Sequence, residues 1–378
     1  MDEQFNFSNS NITELEYKPP PMYVQMIFVL VYGLVVLVAV GGNVLVCHII
    51  LICQRMRTAT NLFLLNLAIS DILMAILCIP LTFVSTVMLN YWPFGNVMCP
   101  VVTYIQAVSV FLSAFTLVAM SMDRYVAVLH PLRPKLTNTQ AVKIIAVTWV
   151  LAMAAPLPTA IVSRVLNENS DGNESDAFNG LCQEIWEHDY QRQSYSMVIM
   201  FLQYFIPLIV LIFTYARIGY IVWIKSPPGE AVRNRDERMA ASKRKMVKMM
   251  IAMVAIYALS WLPLHAITLI GDQYPDIYSE DYMNIVWIAA HWTAMSHSCY
   301  NPIVYFSMNS KFRAGFLRIF KCCPRMKQEQ LINESSKSYY HGTTCNTSVN
   351  MTSTPHKRNV ITNYYDRNNH ENIESSVV

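Results

Sequence analysis

The chain has little charge. Of its 378 residues, 54% are hydrophobic and 14% are Asp, Glu, Lys or Arg, against roughly a quarter in an ordinary soluble protein. The deficit is concentrated in seven stretches, approximately 24–53, 61–89, 98–122, 141–163, 195–224, 247–271 and 282–307. Each reaches or exceeds the ~20 residues a helix needs to cross ~30 Å of hydrocarbon. Buried helices of a soluble protein would give runs of about 10–14. Signatures of enzyme chemistry are also missing: there is no CxxC, no HExxH and no phosphate-binding loop. The expectation is an all-α membrane protein, a seven-helix bundle, with no catalytic residues, no metal centre and no nucleic-acid partner.

Loop charges orient the bundle. Residues 54–60 carry Arg55 and Arg57, 130–135 carry Arg133 and Lys135, and 225–248 hold eight bases against three acids. On the opposite side, 90–98 is uncharged and 272–281 has four acids and no base. The positive-inside rule puts the first set in the cytoplasm, so the N-terminus is expected outside and the C-terminal tail inside. Residues 1–22 lack the basic start and apolar h-region of a signal peptide, and the first helix is expected to direct its own insertion. Sequons at Asn6, Asn11 and Asn173 fall on the outer side as candidate glycosylation sites. Of nine cysteines, only Cys99 and Cys182 lie on the oxidising side, which pairs them and ties the third helix to the 164–193 loop.

Polar residues are rare in the spans. Asp71 is the one acid in any of them. A carboxylate at that depth is expensive. It reads either as a protonated Asp hydrogen-bonded between helices or as a small-cation site with Ser113 and Asn301. Pro80, Pro207, Pro263 and Pro302 interrupt spans and should kink them.

The pieces Gly42-Asn43, NLFLLNLAISD (61–71), Cys99, DRY (123–125), Trp149, Cys182, Pro207 with Tyr215, SWLP (260–263) and NPIVY (301–305) occur in order, Cys182 in the outer loop and the others on or at the ends of the expected helices. Together they resemble the rhodopsin-like (class A) G-protein-coupled receptors over residues 24–323. The resemblance implies a multi-pass plasma-membrane receptor for an outer ligand, acting on a heterotrimeric G protein, with arrestin and receptor kinases as further partners. Asp123 would restrain Arg124 at rest, and Arg124 would swing toward Tyr215 and Tyr305 when the sixth helix moves out. His130, Pro131 and Leu132 would extend the inner contact surface, and Tyr125 would belong to the same coupling set. Trp261, Pro263, Asn301 and Pro302 would bend the sixth and seventh helices. Asp71, Ser113 and Asn301 would hold an allosteric sodium ion, the only cofactor-like species implied. Two positions depart from the pattern. Lys243 stands where many relatives carry an acid that holds Arg124, and His297 where Asn usually borders the cation site.

Receptors for biogenic amines carry Asp where this chain has Gln106, two helical turns (~10 Å) below Cys99. Opsins need a lysine in the seventh helix, and 282–307 has none. The outer segments 1–22, 164–193 and 272–281 hold fifteen acids against three bases, a field that concentrates cationic ligands. Thr82, Gln106, Asp272 and His291 are similar to the pocket of neuropeptide Y-type receptors, which read an Arg-aromatic-amide C-terminus. By that likeness Asp272 would pair with the ligand arginine, and Gln106 and Thr82 would bond the terminal amide. Trp261 would floor the cavity, with His265, Thr268 and His291 lining it. AMSHSCYNPIVY (294–305) and MNSKFRAGF (308–316) are closer to invertebrate receptors for RYamide- and luqin-type peptides. The alternatives are a tachykinin-like peptide receptor and a receptor for a non-peptide small ligand.

The expected organisation is an extracellular tail (1–22), the bundle (23–307), an amphipathic inner-leaflet helix with palmitoylation at Cys322 and Cys323 (308–323), and a disordered cytoplasmic tail (324–378). Ser376-Val377-Val378 would suit a PDZ domain.

Overall fold

The computed structural model describes residues 22–166, 180–224, 233–274, 276–277 and 282–321. The expectations for Asn6, Asn11, Asn173, Cys322, Cys323, the Lys243 side chain and the 324–378 tail lie outside the described residues. Seven long helices follow in chain order. They are α1 (Met22–Ile52), α2 (Ala59–Leu89), α3 (Gly95–Leu129), α4 (Asn138–Val162), α5 (Tyr190–Trp223), α6 (Arg233–Gln273) and α7 (Met283–Met308). A short α8 (Ser310–Lys321) comes after them, and β1 (Ser163–Leu166) pairs antiparallel with β2 (Leu181–Glu184) between α4 and α5.

Six of the seven, with α6 counted from Arg244, are long and apolar enough to span by composition alone. The seventh, α7, is long enough but more polar. Its His291, Ser296, His297, Ser298 and Asn301 are all buried in the bundle rather than turned to lipid. Large apolar side chains such as Leu34, Leu37, Val150, Ile209 and Leu259 are exposed on the outside of the bundle, where acyl chains would cover them.

Helix ends follow local chemistry more closely than they follow apolarity. The apolar run of the third span ends at Met122, but α3 continues to Leu129. There Pro131 disfavours the helical conformation for His130, which sits at φ −123°, ψ 68°. At the start of α4, the Thr137 hydroxyl accepts from Gln140 N while Gln140 Oε1 accepts from Thr137 N, a reciprocal cap. Between α7 and α8, Asn309 turns extended and its side-chain oxygen accepts from Lys311 N at 3.1 Å. The aromatic side of α8 then packs inward: Phe312 and Phe316 are buried, with Phe312 against Tyr305.

Lipid tails are as apolar as leucine, so helix association depends on close packing and interhelical hydrogen bonds. Pro207 and Pro302 each remove the N–H that would bond the carbonyl four residues earlier. In both cases a neighbouring helix supplies the donor. Asn43 Nδ2 of α1 donates to Ser298 O (2.9 Å), and Tyr257 Oη of α6 donates to Gln203 O (2.7 Å). Around Gln203 the α5 helix widens into a π-stretch, Phe201–Phe205. Asn66 joins three helices, donating to Thr116 Oγ1 and accepting from Trp149 Nε1, both at 2.8 Å.

Outside, the expected Cys99–Cys182 disulfide is present and fixes β2 to the top of α3. Thr103 Oγ1 donates to Ser163 Oγ at 3.0 Å, so β1 is held to the same helix.

The Gly42 backbone lies so close to α7 that an added Cβ would stand 2.8 Å from two side-chain carbons of Pro302; at Gly41 nothing lies within 4 Å. Gly42→Ala is therefore expected to destabilise the bundle by roughly 1–3 kcal/mol, the usual cost of overpacking, and Gly41→Ala to be neutral. Thermal unfolding of the detergent-solubilised protein checks this. Equal melting temperatures for the two variants would show that the α1–α7 contact is not tight.

Candidate functional site

A cavity of about 330 Å³ opens on the outer side of the bundle. Trp261 and His265, one turn apart on α6, form its floor, their ring centroids 5.8 Å apart. Gln106 and Thr103 project from α3, Gln203 and Tyr195 from α5, and Thr268 from α6. Asp272 at the end of α6 and Glu184 of β2 contribute two carboxylates at the mouth. Trp261 Nε1 and His265 Nε2 are buried without a partner among the described residues. The cavity thus has two acids above, an amide side chain on one wall, and a mainly aromatic floor. That order can hold a cation near the mouth and a polar, ring-bearing group beneath it.

Five of the seven expected ligand residues line this cavity: Gln106, Trp261, His265, Thr268 and Asp272. Thr82 and His291 are not among its walls. Two π-stretches, Met74–Cys78 and Val84–Leu89, flank Thr82, and each shifts the facing of later residues away from a regular 3.6-residue count. His291 is buried in the α1–α7 seam. Its Nδ1 lies 3.1 Å from Tyr32 Oη, and its ring stacks on Trp287 at 4.9 Å.

Glu184 was not anticipated, although a signal existed. It follows the disulfide Cys182 by two residues in a strand and therefore shares its face. Trp186 Nε1 donates to Glu184 Oε2 at 3.0 Å. The side chain keeps contact with solvent through the open mouth. Enclosure by the cavity walls nonetheless pushes its carboxyl up, and nearby Asp272 adds to the rise while the Trp186 bond and Arg192 oppose it. Asp272 is itself held twice from α5: Gln193 Nε2 donates to its backbone oxygen at 2.8 Å, and Arg192 Nη2 stands 3.8 Å from Oδ1.

Beneath Trp261 lies a second cavity of about 10 Å³, bordered by Asp71, Ser70, Ser113, Ser298 and His297. It has room for a single water-sized body. Asn301 Nδ2 donates to Asp71 Oδ2 at 2.8 Å, and the Ser70 and Ser113 hydroxyls are 3.1 Å apart. The expected trio of Asp71, Ser113 and Asn301 does converge, and its carboxylate and hydroxyl oxygens are suited to a small hard cation.

On the cytoplasmic side, a cavity of about 260 Å³ is lined by Arg124, Thr60, Met246, Met250, Met308 and neighbouring residues. Arg124 Nε donates to Asp123 Oδ2 at 3.0 Å, and the guanidinium also bonds Thr60. Among the described residues, its hydrogen-bonding contact with α6 is Nη1 to the thioether sulfur of Met246, at 3.4 Å. Tyr305 is fully buried, its hydroxyl unpartnered among the described residues, and Tyr215 is buried nearby. Tyr125 packs toward Phe213 on α5 (6.3 Å). Leu132, beside Pro131 in the turn after α3, is 99% exposed and free to meet a partner.

The profile of the 7 transmembrane receptor (rhodopsin family) matches residues 42–305. The RYamide receptor of Drosophila melanogaster is 45% identical over 306 residues, which is 81% of this chain and 66% of that one. The RYamide receptor of Tribolium castaneum is 42% identical over 312 residues, 81% of this chain and 83% of that one. The tachykinin-like peptides receptor 99D of Drosophila melanogaster is 36% identical over 309 residues, 80% and 58% of the respective chains. With these matches and the seven-helix architecture, the chain belongs to the rhodopsin family of seven-transmembrane receptors.

Proposed function

We propose that this protein is a plasma-membrane receptor for an amidated neuropeptide with an Arg-aromatic-amide ending, of the RYamide kind, and that it activates a heterotrimeric G protein. The observation that carries the reading is the ordering of the outer cavity, with Asp272 and Glu184 at the mouth, Gln106 on the wall and Trp261 with His265 at the floor. The likeness to two insect RYamide receptors supports it. In this reading the ligand arginine pairs with Asp272. A guanidinium matches a carboxylate bidentately, which lysine does not. The terminal amide meets Gln106, whose side chain both donates and accepts, and the aromatic ring lies against Trp261. His291 then acts from behind the cavity wall, in the α1–α7 seam.

Binding at the floor favours the arrangement in which α6 stands away from α3. Signalling is a population shift whose size equals the difference in peptide affinity between the two arrangements. At rest Arg124 is held by Asp123 and Thr60. Outward movement of α6 removes Met246 from Arg124 and widens the methionine-lined cavity for the G protein. Arrestin and receptor kinases would act on the same side.

A sodium ion would be held by Asp71 and Ser113, with Asn301 fixing the carboxylate and Ser70 and His297 completing the enclosure. Such an ion supplies positive charge to a carboxylate otherwise buried in hydrocarbon.

Two measurements test these readings. In transfected cells, an Arg-Tyr-amide peptide should act at nanomolar concentration, and its free acid should be weaker by about tenfold or more. Asp272→Asn should cost a further loss of about thirtyfold or more, since truncating one member of a buried charge pair costs about 2 kcal/mol at the least. Equal potency of tachykinin-type endings, or indifference to Asp272→Asn, would contradict the assignment. In membranes, replacing sodium with a large organic cation should raise agonist affinity in the wild type and leave Asp71→Asn unchanged. A wild type insensitive to sodium would remove the ion from the account.

A further inference from the structure

The mouth of the outer cavity already contains a guanidinium. Arg192, near the start of α5, points its Nη2 at Asp272 Oδ1 across 3.8 Å. The contact is too long for a hydrogen bond, so the two groups do not form a bidentate pair. Arg192 Nε is buried with no hydrogen-bond partner among the described residues. The side chain is 38% exposed, against 12% for Asp272. It is thus the more exposed member of the pair and is not among the cavity's walls. Glu184 is near enough to feel both Asp272 and Arg192. The three groups form a cluster of two carboxylates and one base, held in place by Gln193 on Asp272 and Trp186 on Glu184.

We infer that Arg192 is a resident competitor for the Asp272 carboxylate, and that it sets both the affinity threshold and the selectivity of the site for arginine-bearing ligands. The inference rests on the reading of Asp272 as the partner of the ligand arginine. A guanidinium arriving from inside the cavity can face both oxygens of Asp272. Arg192 then gives up a poor contact and turns toward Glu184, leaving two acids paired with two bases. A ligand without a cation at this position leaves the Arg192–Asp272 contact intact and strands no charge. Arg192 thereby compresses the difference between charged and uncharged ligands. Without it, Asp272 would be unpaired in the free receptor, and a neutral ligand would bury an uncompensated charge.

The test uses the full-length receptor in cells, with surface expression measured through an N-terminal tag. The probes are an Arg-Tyr-amide peptide and its counterpart with citrulline, the uncharged isostere, in place of arginine. Four receptors are compared: wild type, Arg192→Gln, Arg192→Lys and Asp272→Asn. Arg192→Gln is expected to bind the arginine peptide about three- to tenfold more tightly, the range for relief of a partly exposed charge contact. It should bind the citrulline peptide no better, so the ratio between the two widens. Arg192→Lys keeps the competing charge and should stay near wild type. If Arg192→Gln weakens the arginine peptide while Asp272→Asn still abolishes discrimination, Arg192 holds the acid in position or touches the ligand, and the competitor role is overturned. If Asp272→Asn leaves the arginine-to-citrulline ratio at its wild-type value, the assignment of Asp272 fails, and the role of Arg192 fails with it.

Discussion

A helix that loses a backbone hydrogen bond inside hydrocarbon must find another donor, because no water is present to supply one. That constraint organises this bundle. Pro302 and Pro207 free the carbonyls of Ser298 and Gln203, and Asn43 and Tyr257 reach across from α1 and α6 to take them. Tyr204 returns the contact from α5, donating to Ala258 O next to the carbonyl that Pro263 frees on α6. Each bond adds about 0.5–1.5 kcal/mol net, yet each acts at one position only and so fixes the rotation of its helix. Gly42, pressed against Pro302, allows α1 close enough for the Asn43 bond to form.

The same contacts position the functional cavities. Gln203 belongs both to the kink of α5 and to the outer cavity wall, and Trp261 borders the outer cavity above and the Asp71 cavity below. Movement of α6 about Pro263 therefore alters both at once. Resistance at the inner end is slight, since the link from Arg124 to α6 is a thioether contact rather than an ion pair. The reciprocal Tyr257 and Tyr204 bonds oppose that movement near its pivot. By this route a peptide contact at Trp261 would reach Arg124, the connecting element being the kinked α6 helix.

Much of this was legible in the sequence. Seven apolar runs located the spans, loop charge assigned their orientation, and the compartments of the cysteines identified Cys99–Cys182. Helix ends were less legible, because apolarity reports where lipid begins and not where hydrogen bonding stops. α3 runs on through Asp123 and Arg124 to His130, where Pro131 ends it. Side-chain facing was lost wherever the helical count changed. Thr82, expected from the resemblance to line the cavity, follows the π-stretch Met74–Cys78, which turns it from its regular-helix position, and it is not among the cavity's walls. Glu184 could have been found from the two-residue period of a strand beyond Cys182. Arg192 could not, since its meaning depends on the angle between α5 and the end of α6.

The central claim is that the outer cavity receives the amidated end of a peptide ring-first. The most direct test is photo-crosslinking with an agonist carrying benzoylphenylalanine in place of its C-terminal aromatic residue, followed by mass spectrometry of the adducts. Adducts on the cavity floor, at Trp261, His265 or neighbouring side chains of α5 and α6, are the predicted result. Adducts confined to the outer loops or to the segment before α1 would contradict it.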